Sequence, residues 1–165
     1  MILRTDLYSL DADIEATKQY AQNLNLCDCC WDRNFYVQAT EKFPKLTNFL
    51  ANFGLSIDRP DEISPITVEN EVHYLFIGYT VVGKVLEKEQ YELDLFDGGQ
   101  SLNIVIGGWD VPNEQKSDHY FTIKVFNIKL PWVLDEPNPE EEPSSVKEVS
   151  KQSTFSKIKS FFSRS

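Results

Sequence analysis

The amino-acid sequence predicts an α+β domain, in which N-terminal helices pack on one face of an antiparallel β-meander and a flexible tail follows. Near position 65 the apolar residues stop recurring every three to four positions and begin to alternate every second position, which is the change from helix to strand periodicity. Near position 135 acidic residues and prolines replace this alternation. Because helices precede strands without βαβ alternation, the α+β class is favoured.

The chain is expected to divide into three parts. Residues 1–134 form a single α+β domain, residues 135–150 form an acidic linker that contains proline, and residues 151–165 form a basic amphipathic tail. A chain of 165 residues buries enough surface to fold without a metal or a disulfide. Since there is no leader-like apolar segment and no run long enough to span a bilayer, we expect a cytoplasmic location.

Helical spacing dominates the first part of the domain. Asp11 is the expected N-cap of a helix over residues 12–24. A second helical region covers residues 31–53, where Pro44 divides it because proline cannot supply an interior amide hydrogen bond. Pro44 fits the first turn of the helix that follows. That helix has apolar residues at i, i+3, i+4 and i+7, namely Leu46, Phe49, Leu50 and Phe53.

Strand periodicity follows a predicted loop over residues 55–65. Residues 72–86 are apolar on both faces, which indicates a long, bent central strand or a pair of strands. Two alternating segments, residues 91–95 and 102–106, flank Asp97-Gly98-Gly99 and predict a tight hairpin.

The last strand is expected to begin near His119. Its apolar residues change phase by one position along the strand, and a β-bulge near Val125 would explain the change.

The formal net charge of −10 argues against nucleic-acid binding, because phosphate contacts require clustered Lys and Arg that the domain lacks. An acidic surface favours a basic protein partner, whose approach it would steer. Our first hypothesis is therefore a non-enzymatic interaction module of the immunity, antitoxin or regulatory type.

Cys27, Cys29 and Cys30 lie within four residues, which is unlike the spaced pattern of a secreted disulfide framework. Thiolates at this spacing could bind zinc or iron or act as nucleophiles, so a metal- or thiol-dependent protein is the alternative hypothesis. A structural zinc site needs about four ligands, and the two histidines, His73 and His119, lie far away on predicted strands. Inert cysteines are the simpler interpretation.

Other residues suggest sites of lower specificity. Glu92, Asp94 and Asp97 could bind a cation on one hairpin face, although the wet face of a half-buried strand has the same pattern. Trp109 and Trp132 could anchor a partner, although aromatic residues at strand ends more often cap a core.

The tail presents four large apolar residues on one side of a short helical pattern that also carries basic residues. This combination indicates weak recruitment to a membrane surface or to a partner groove, and a disordered end is the alternative. The apolar residues are Phe155, Ile158, Phe161 and Phe162.

The segments Cys27-Asp28-Cys29-Cys30, Phe43-Pro44, Phe53-Gly54-Leu55 and Gly78-Tyr79-Thr80-Val81-Val82-Gly83 resemble a family of small bacterial cytoplasmic proteins with a cysteine-rich N-terminal segment. The resemblance covers residues 27–95. Thr80 and Val81 replace polar strand residues of the family pattern, so a catalytic histidine is not carried over. The resemblance implies a bacterial cytoplasmic domain and no particular activity.

Overall fold

A computed structural model describes residues 1–107 and 119–139 of the chain. These residues form a seven-stranded antiparallel sheet and four helices, in agreement with the α+β class. In chain order the elements are β1 (Ile2–Arg4), β2 (Ser9–Ala12), α1 (Ile14–Gln22), α2 (Cys30–Tyr36), α3 (Ala39–Lys42), α4 (Pro44–Ala51), β3 (Glu62–Val68), β4 (Glu71–Val85), β5 (Gln90–Asp97), β6 (Gln100–Gly107) and β7 (Tyr120–Pro131).

The sheet is not a simple meander. Its strand order is β1-β2-β4-β7-β6-β5, and β3 also pairs with β4. The last strand, β7, therefore lies between β4 and β6, so that β4 to β7 follow a Greek-key order. Along its other edge β4 pairs first with β3 and then, through Gly83 to Val85, with β2.

Two predicted boundaries differ from the structure. The N-cap of α1 is Asp13, whose carboxylate accepts the amide of Ala16 at 3.0 Å, because strand β2 continues through Asp11 to Ala12. The predicted loop over residues 55–65 ends earlier, since β3 begins at Glu62. Pro65 lies within β3, which the sheet tolerates because β3 is an edge strand.

The phase change predicted in the last strand occurs at Asn127 rather than at Val125. Asn127 has φ 67°, and the buried positions change there from Val125 to Ile128. Strand β4 makes the same change around Leu75, opposite the register shift between Ser64 and Pro65 of β3. Neighbouring strands therefore share one irregularity and keep their apolar residues directed into the core.

Helices α1 and α2 contact strand β4 through side-chain packing and hydrogen bonds. The ring of Phe35 in α2 lies 5.3 Å from that of Tyr74 in β4. The start of α1 fills the gap between β3 and β2 along β4, because Thr17 Oγ1 accepts the amide of Val82 at 3.0 Å and the amide of Asp13 donates to the Val82 carbonyl at 2.8 Å.

The β5–β6 turn also caps α4. Asp97 is buried, and its carboxylate accepts the backbone amides of Leu46 at 2.9 Å and Gly98 at 3.0 Å. The N-cap residue of α4, Phe43, provides no side-chain hydrogen bond of its own. Gly98 has φ 57°, and a Cβ there would lie 2.6 Å from the Phe43 ring, so glycine is required where the turn meets the helix.

We expect Asp97→Ala to lower the free energy of unfolding by about 1–3 kcal/mol, because two backbone donors lose their acceptor. Urea unfolding would measure the change. The control is Asp94→Ala on the same strand, where the side chain is exposed and, among the described residues, hydrogen-bonds with Asn103 alone, at 3.3 Å. Equal stability of Asp97→Ala and wild type would contradict the capping role.

Stability should also decrease at alkaline pH because of Tyr79. This side chain is fully buried and its hydroxyl donates to the carbonyl of Ile57 at 2.7 Å. Burial, together with nearby Asp58, raises the pKa of Tyr79 well above its ordinary value. The pKa of Tyr79 is higher in the folded state than in the unfolded state. Its contribution to the free energy of unfolding is therefore fully present below pH about 10, and above that pH it is lost by up to about 1.4 kcal/mol per pH unit.

Tyr79→Phe should therefore reduce the slope of this alkaline loss, since phenylalanine has no proton to release in the unfolded state. Urea unfolding of both proteins from pH about 9 to pH about 11 would measure the slope. Parallel curves for the two proteins would show that burial of Tyr79 is not its source.

Candidate metal site at the start of α2

The cysteine segment leads directly into α2, and three potential metal ligands meet there. The Sγ atoms of Cys27 and Cys29 and a carboxylate oxygen of Asp32 all lie within 4.8 Å of one another. Cys29 is the N-cap of α2, and Asp32 follows it by three residues, so one helical turn brings the two side chains together. The amide of Cys29 donates to Cys27 Sγ at 3.3 Å, which holds the Cys27 side chain close to the helix.

The group differs by one residue from the set suggested by the cysteine cluster. Cys30 is the first residue of α2 and does not belong to the group, whereas Asp32 does. The sequence contains a signal for Asp32 in the pattern C-x-C-x-x-D, because a residue three positions after an N-cap faces the cap. That signal becomes usable only once the helix start is known.

Burial disfavours ionisation of both Cys29 and Asp32. Burial raises the pKa of Cys29 to about 12; the Asp32 backbone amide opposes this shift, while Cys27 and the Asp32 carboxylate add to it. Burial also raises the pKa of the Asp32 carboxyl, and hydrogen bonds with Cys29, Cys27 and Tyr36 oppose that shift. Cys29 is therefore a thiol at neutral pH when no cation is bound, which disfavours a free thiolate nucleophile.

Tyr36, one turn further along α2, lies beside Asp32. Its hydroxyl donates to Asp32 Oδ2 at 3.5 Å, and it is half-buried. Burial raises the pKa of Tyr36, and the charges of Asp32, Cys27 and Cys29 add to the shift. Tyr36 therefore stays neutral and can donate a hydrogen bond to the carboxylate.

Arg33 does not neutralise Asp32. Its Nε donates to the carbonyl of Asp28 at 3.2 Å, and its Nη2 donates to Glu136 Oε1 at 2.5 Å. Among residues 1–107 and 119–139, no Lys, Arg or His forms an ion pair with Asp32. The two thiols and the carboxyl thus face one another without a protein cation between them.

The remaining candidate residues lie elsewhere. His73 is half-buried on β4, with Nε2 3.4 Å from Glu71, and His119 is exposed just before β7. Glu92 and Asp94 are exposed on β5, while Asp97 caps α4, so these three carboxylates form no group in the described part of the chain.

Trp132 is half-buried and packs against the core, and its indole N–H donates to the carbonyl of Glu136 at 2.7 Å. These contacts fit a core-capping residue. The other predicted contact residues lie outside the described ranges, and they are Trp109, Phe155, Ile158, Phe161 and Phe162.

Two surface cavities are separate from the cysteine segment. One, of 390 Å³, lies between α1 and the end of α4, and the other, of 650 Å³, lies beside β1. Ile14 and Ala51 line both. Within the described residues, none of the helices combines the length and the apolar character needed to cross a membrane.

No protein-family model, no curated protein and no solved structure matches this chain. The resemblance of residues 27–95 to small bacterial cytoplasmic proteins therefore stays a prediction.

Proposed function

We propose that this chain is a metal-binding protein that holds zinc through Cys27, Cys29 and Asp32. The observation that carries the proposal is the proximity of their three ligating atoms, all within 4.8 Å of one another. In a tetrahedral zinc site with Zn–S distances near 2.3 Å, two sulfur atoms lie about 3.8 Å apart. Small side-chain rotations would therefore complete the site without a change of the backbone.

The donor types favour zinc over calcium or magnesium. Soft thiolates select zinc, with iron as the second choice, whereas calcium and magnesium take oxygen ligands. Three protein ligands leave the fourth tetrahedral position for water or another group. Exposure of Cys27 and burial of Asp32 give the site one side open to solvent and one side fixed by the protein.

The purified protein should bind one equivalent of zinc, and Cys29→Ser should remove most of this binding because a hydroxyl replaces a thiolate. Elemental analysis would measure zinc, and cobalt substitution would show sulfur-to-cobalt charge-transfer absorption. Asp32→Asn, which keeps the side-chain shape, should weaken binding by roughly 10-fold or more.

Cys30→Ser is the matched control, because Cys30 is half-buried like Cys29 and adjacent to it but lies outside the ligand group. This variant should keep the zinc stoichiometry of the wild type. Absence of zinc from the wild-type protein, or equal loss in Cys29→Ser and Cys30→Ser, would contradict the proposed ligand set.

A second candidate function is a non-enzymatic interaction module that recognises a basic protein. Its support is the distribution of the charge: among the described carboxylates only Asp32 and Asp97 are buried, so the rest contribute to an acidic surface. Such a surface accelerates encounters with basic proteins and discourages contact with nucleic acid.

Affinity purification from native lysate should then recover a basic protein at low salt and lose it as salt increases. Screening reduces interactions between exposed charges beyond about 10 Å at 0.1 M ionic strength. Sucrose at equal osmolality is the control, since it leaves electrostatic interactions unscreened. Recovery of no partner, or of one that resists salt, would argue against this function.

A further inference from the structure

Helix α2 connects the ligand group, Cys27, Cys29 and Asp32, to the described residues that follow β7. Its first turn contains Asp32, and its next residues, Arg33 and Asn34, contact the segment that follows β7. We call this segment, residues 132–138, the C-terminal strap. It continues into residues 140–165, which contain the predicted basic tail.

Asn34 is the central contact between α2 and the strap. Its side chain is fully buried, its Nδ2 donates to the carbonyl of Pro131 at 3.1 Å, and its Oδ1 accepts the amide of Val133 at 2.9 Å. Gln38, one turn further, donates to the same Pro131 carbonyl at 3.0 Å. The Pro131 carbonyl and the Val133 amide therefore pair with side chains of α2 and of Gln38 just beyond it, while the Trp132 amide between them donates to the carbonyl of Asn70 at 3.1 Å.

Arg33 makes a second connection, which reaches residues 27–29, the loop before α2 that carries the thiols and is called here the ligand loop. One guanidinium contacts Asp28, the residue between Cys27 and Cys29, and also Glu136 of the strap. The Arg33 and Glu136 side chains are each 40% exposed, so this ion pair is partly shielded from water. The same side chain thus joins the loop that carries the thiols to the strap.

We propose that the ligand group and the C-terminal strap are coupled, so that metal binding strengthens the hold of α2 on the strap and metal loss weakens it. This inference rests on the proposed zinc site. A metal bound to Cys27, Cys29 and Asp32 joins the loop before α2 to the first turn of the helix, and local unfolding of α2 must then release the metal first. Unfolding of α2 removes the strap's contacts with Asn34 and Arg33 and leaves those of Trp132 with Asn70 and of Asn138 with Thr67.

Hydrogen exchange of residues 132–138 would measure this coupling in the full chain with zinc and with a chelator. If strap opening requires α2 to unfold, exchange should slow by up to about 100-fold when free zinc is 100 times its Kd. Cys30→Ser should behave like wild type, and Cys29→Ser should show no zinc effect. The β6 segment, Gln100–Gly107, serves as an internal reference that is distant in sequence from both the site and the strap.

Thermodynamic reciprocity provides an independent measurement, since a strap that is stabilised by zinc must in turn stabilise bound zinc by the same factor. Glu136→Gln removes the negative charge that pairs with Arg33 in the strap, without changing any ligand. It should weaken zinc binding by about two- to five-fold, the range expected for a partly exposed ion pair. Asp135→Asn is the control, because it makes the same charge change at the neighbouring exposed residue.

The outcomes separate the two proposals. Stoichiometric zinc with unchanged strap exchange, or with equal affinities in Glu136→Gln and Asp135→Asn, would overturn the coupling and leave the zinc site in place. No zinc binding in wild type would overturn both. Slower strap exchange with zinc, together with weaker zinc binding in Glu136→Gln alone, would support the coupling.

Discussion

Pairing of β4 along both of its edges is the constraint on which the rest of this structure depends. One edge pairs with β7 from Glu71 to Val82, and the other pairs with β3 and then with β2. All backbone amides and carbonyls along this edge of the fifteen-residue β4 can be hydrogen-bonded only if another element pairs with the residues between the β3 and β2 contacts. The start of α1 does so through Thr17 and Asp13. The helices are therefore positioned partly by the hydrogen-bonding needs of the sheet.

The same requirement fixes α2, which carries the candidate site. The hydroxyl of Tyr74, on β4, donates to the carbonyl of Trp31 at 2.9 Å and accepts from Asn34 at 3.3 Å. The indole N–H of Trp31 donates to Thr67 of β3 at 3.1 Å. A seven-residue helix is too short to be stable by itself. Because buried polar groups must be paired, this hydrogen-bond network holds α2 in one orientation on the sheet. The ligand loop precedes a helix whose start is anchored.

The sequence predicted elements whose determinants are local. Alternation on both sides of Asp97-Gly98-Gly99 predicted the β5–β6 hairpin, and both glycines do adopt positive φ. Pro44 was correctly placed at the start of α4. The position of β7 between β4 and β6 could not be predicted, because it depends on which distant strand edges meet. Asp11 was chosen as the N-cap because local pattern does not show that β2 continues through it.

At the candidate site, sequence reasoning found the thiols and missed the carboxylate for the same reason. Three cysteines within four residues are conspicuous in the sequence, but the directions of their side chains depend on the residue at which α2 begins. With Cys29 as the N-cap, Cys30 turns away from the group and Asp32 turns toward it. Asp97, which the sequence offered either as a cation ligand or as part of the wet strand face, is instead buried and caps α4.

The hydrogen bonds of Asp32 differ from those of a capping box. In a capping box, the acidic residue three positions after the N-cap accepts the amide of the N-cap residue. Here the amide of Cys29 donates to Cys27 Sγ instead, which leaves the Asp32 carboxylate with the two thiols and Tyr36. Burial of a carboxyl is costly unless a donor or a cation compensates it. Tyr36 and the two thiols supply such donors when no cation is bound, and a divalent metal would compensate Asp32 and both thiolates at once.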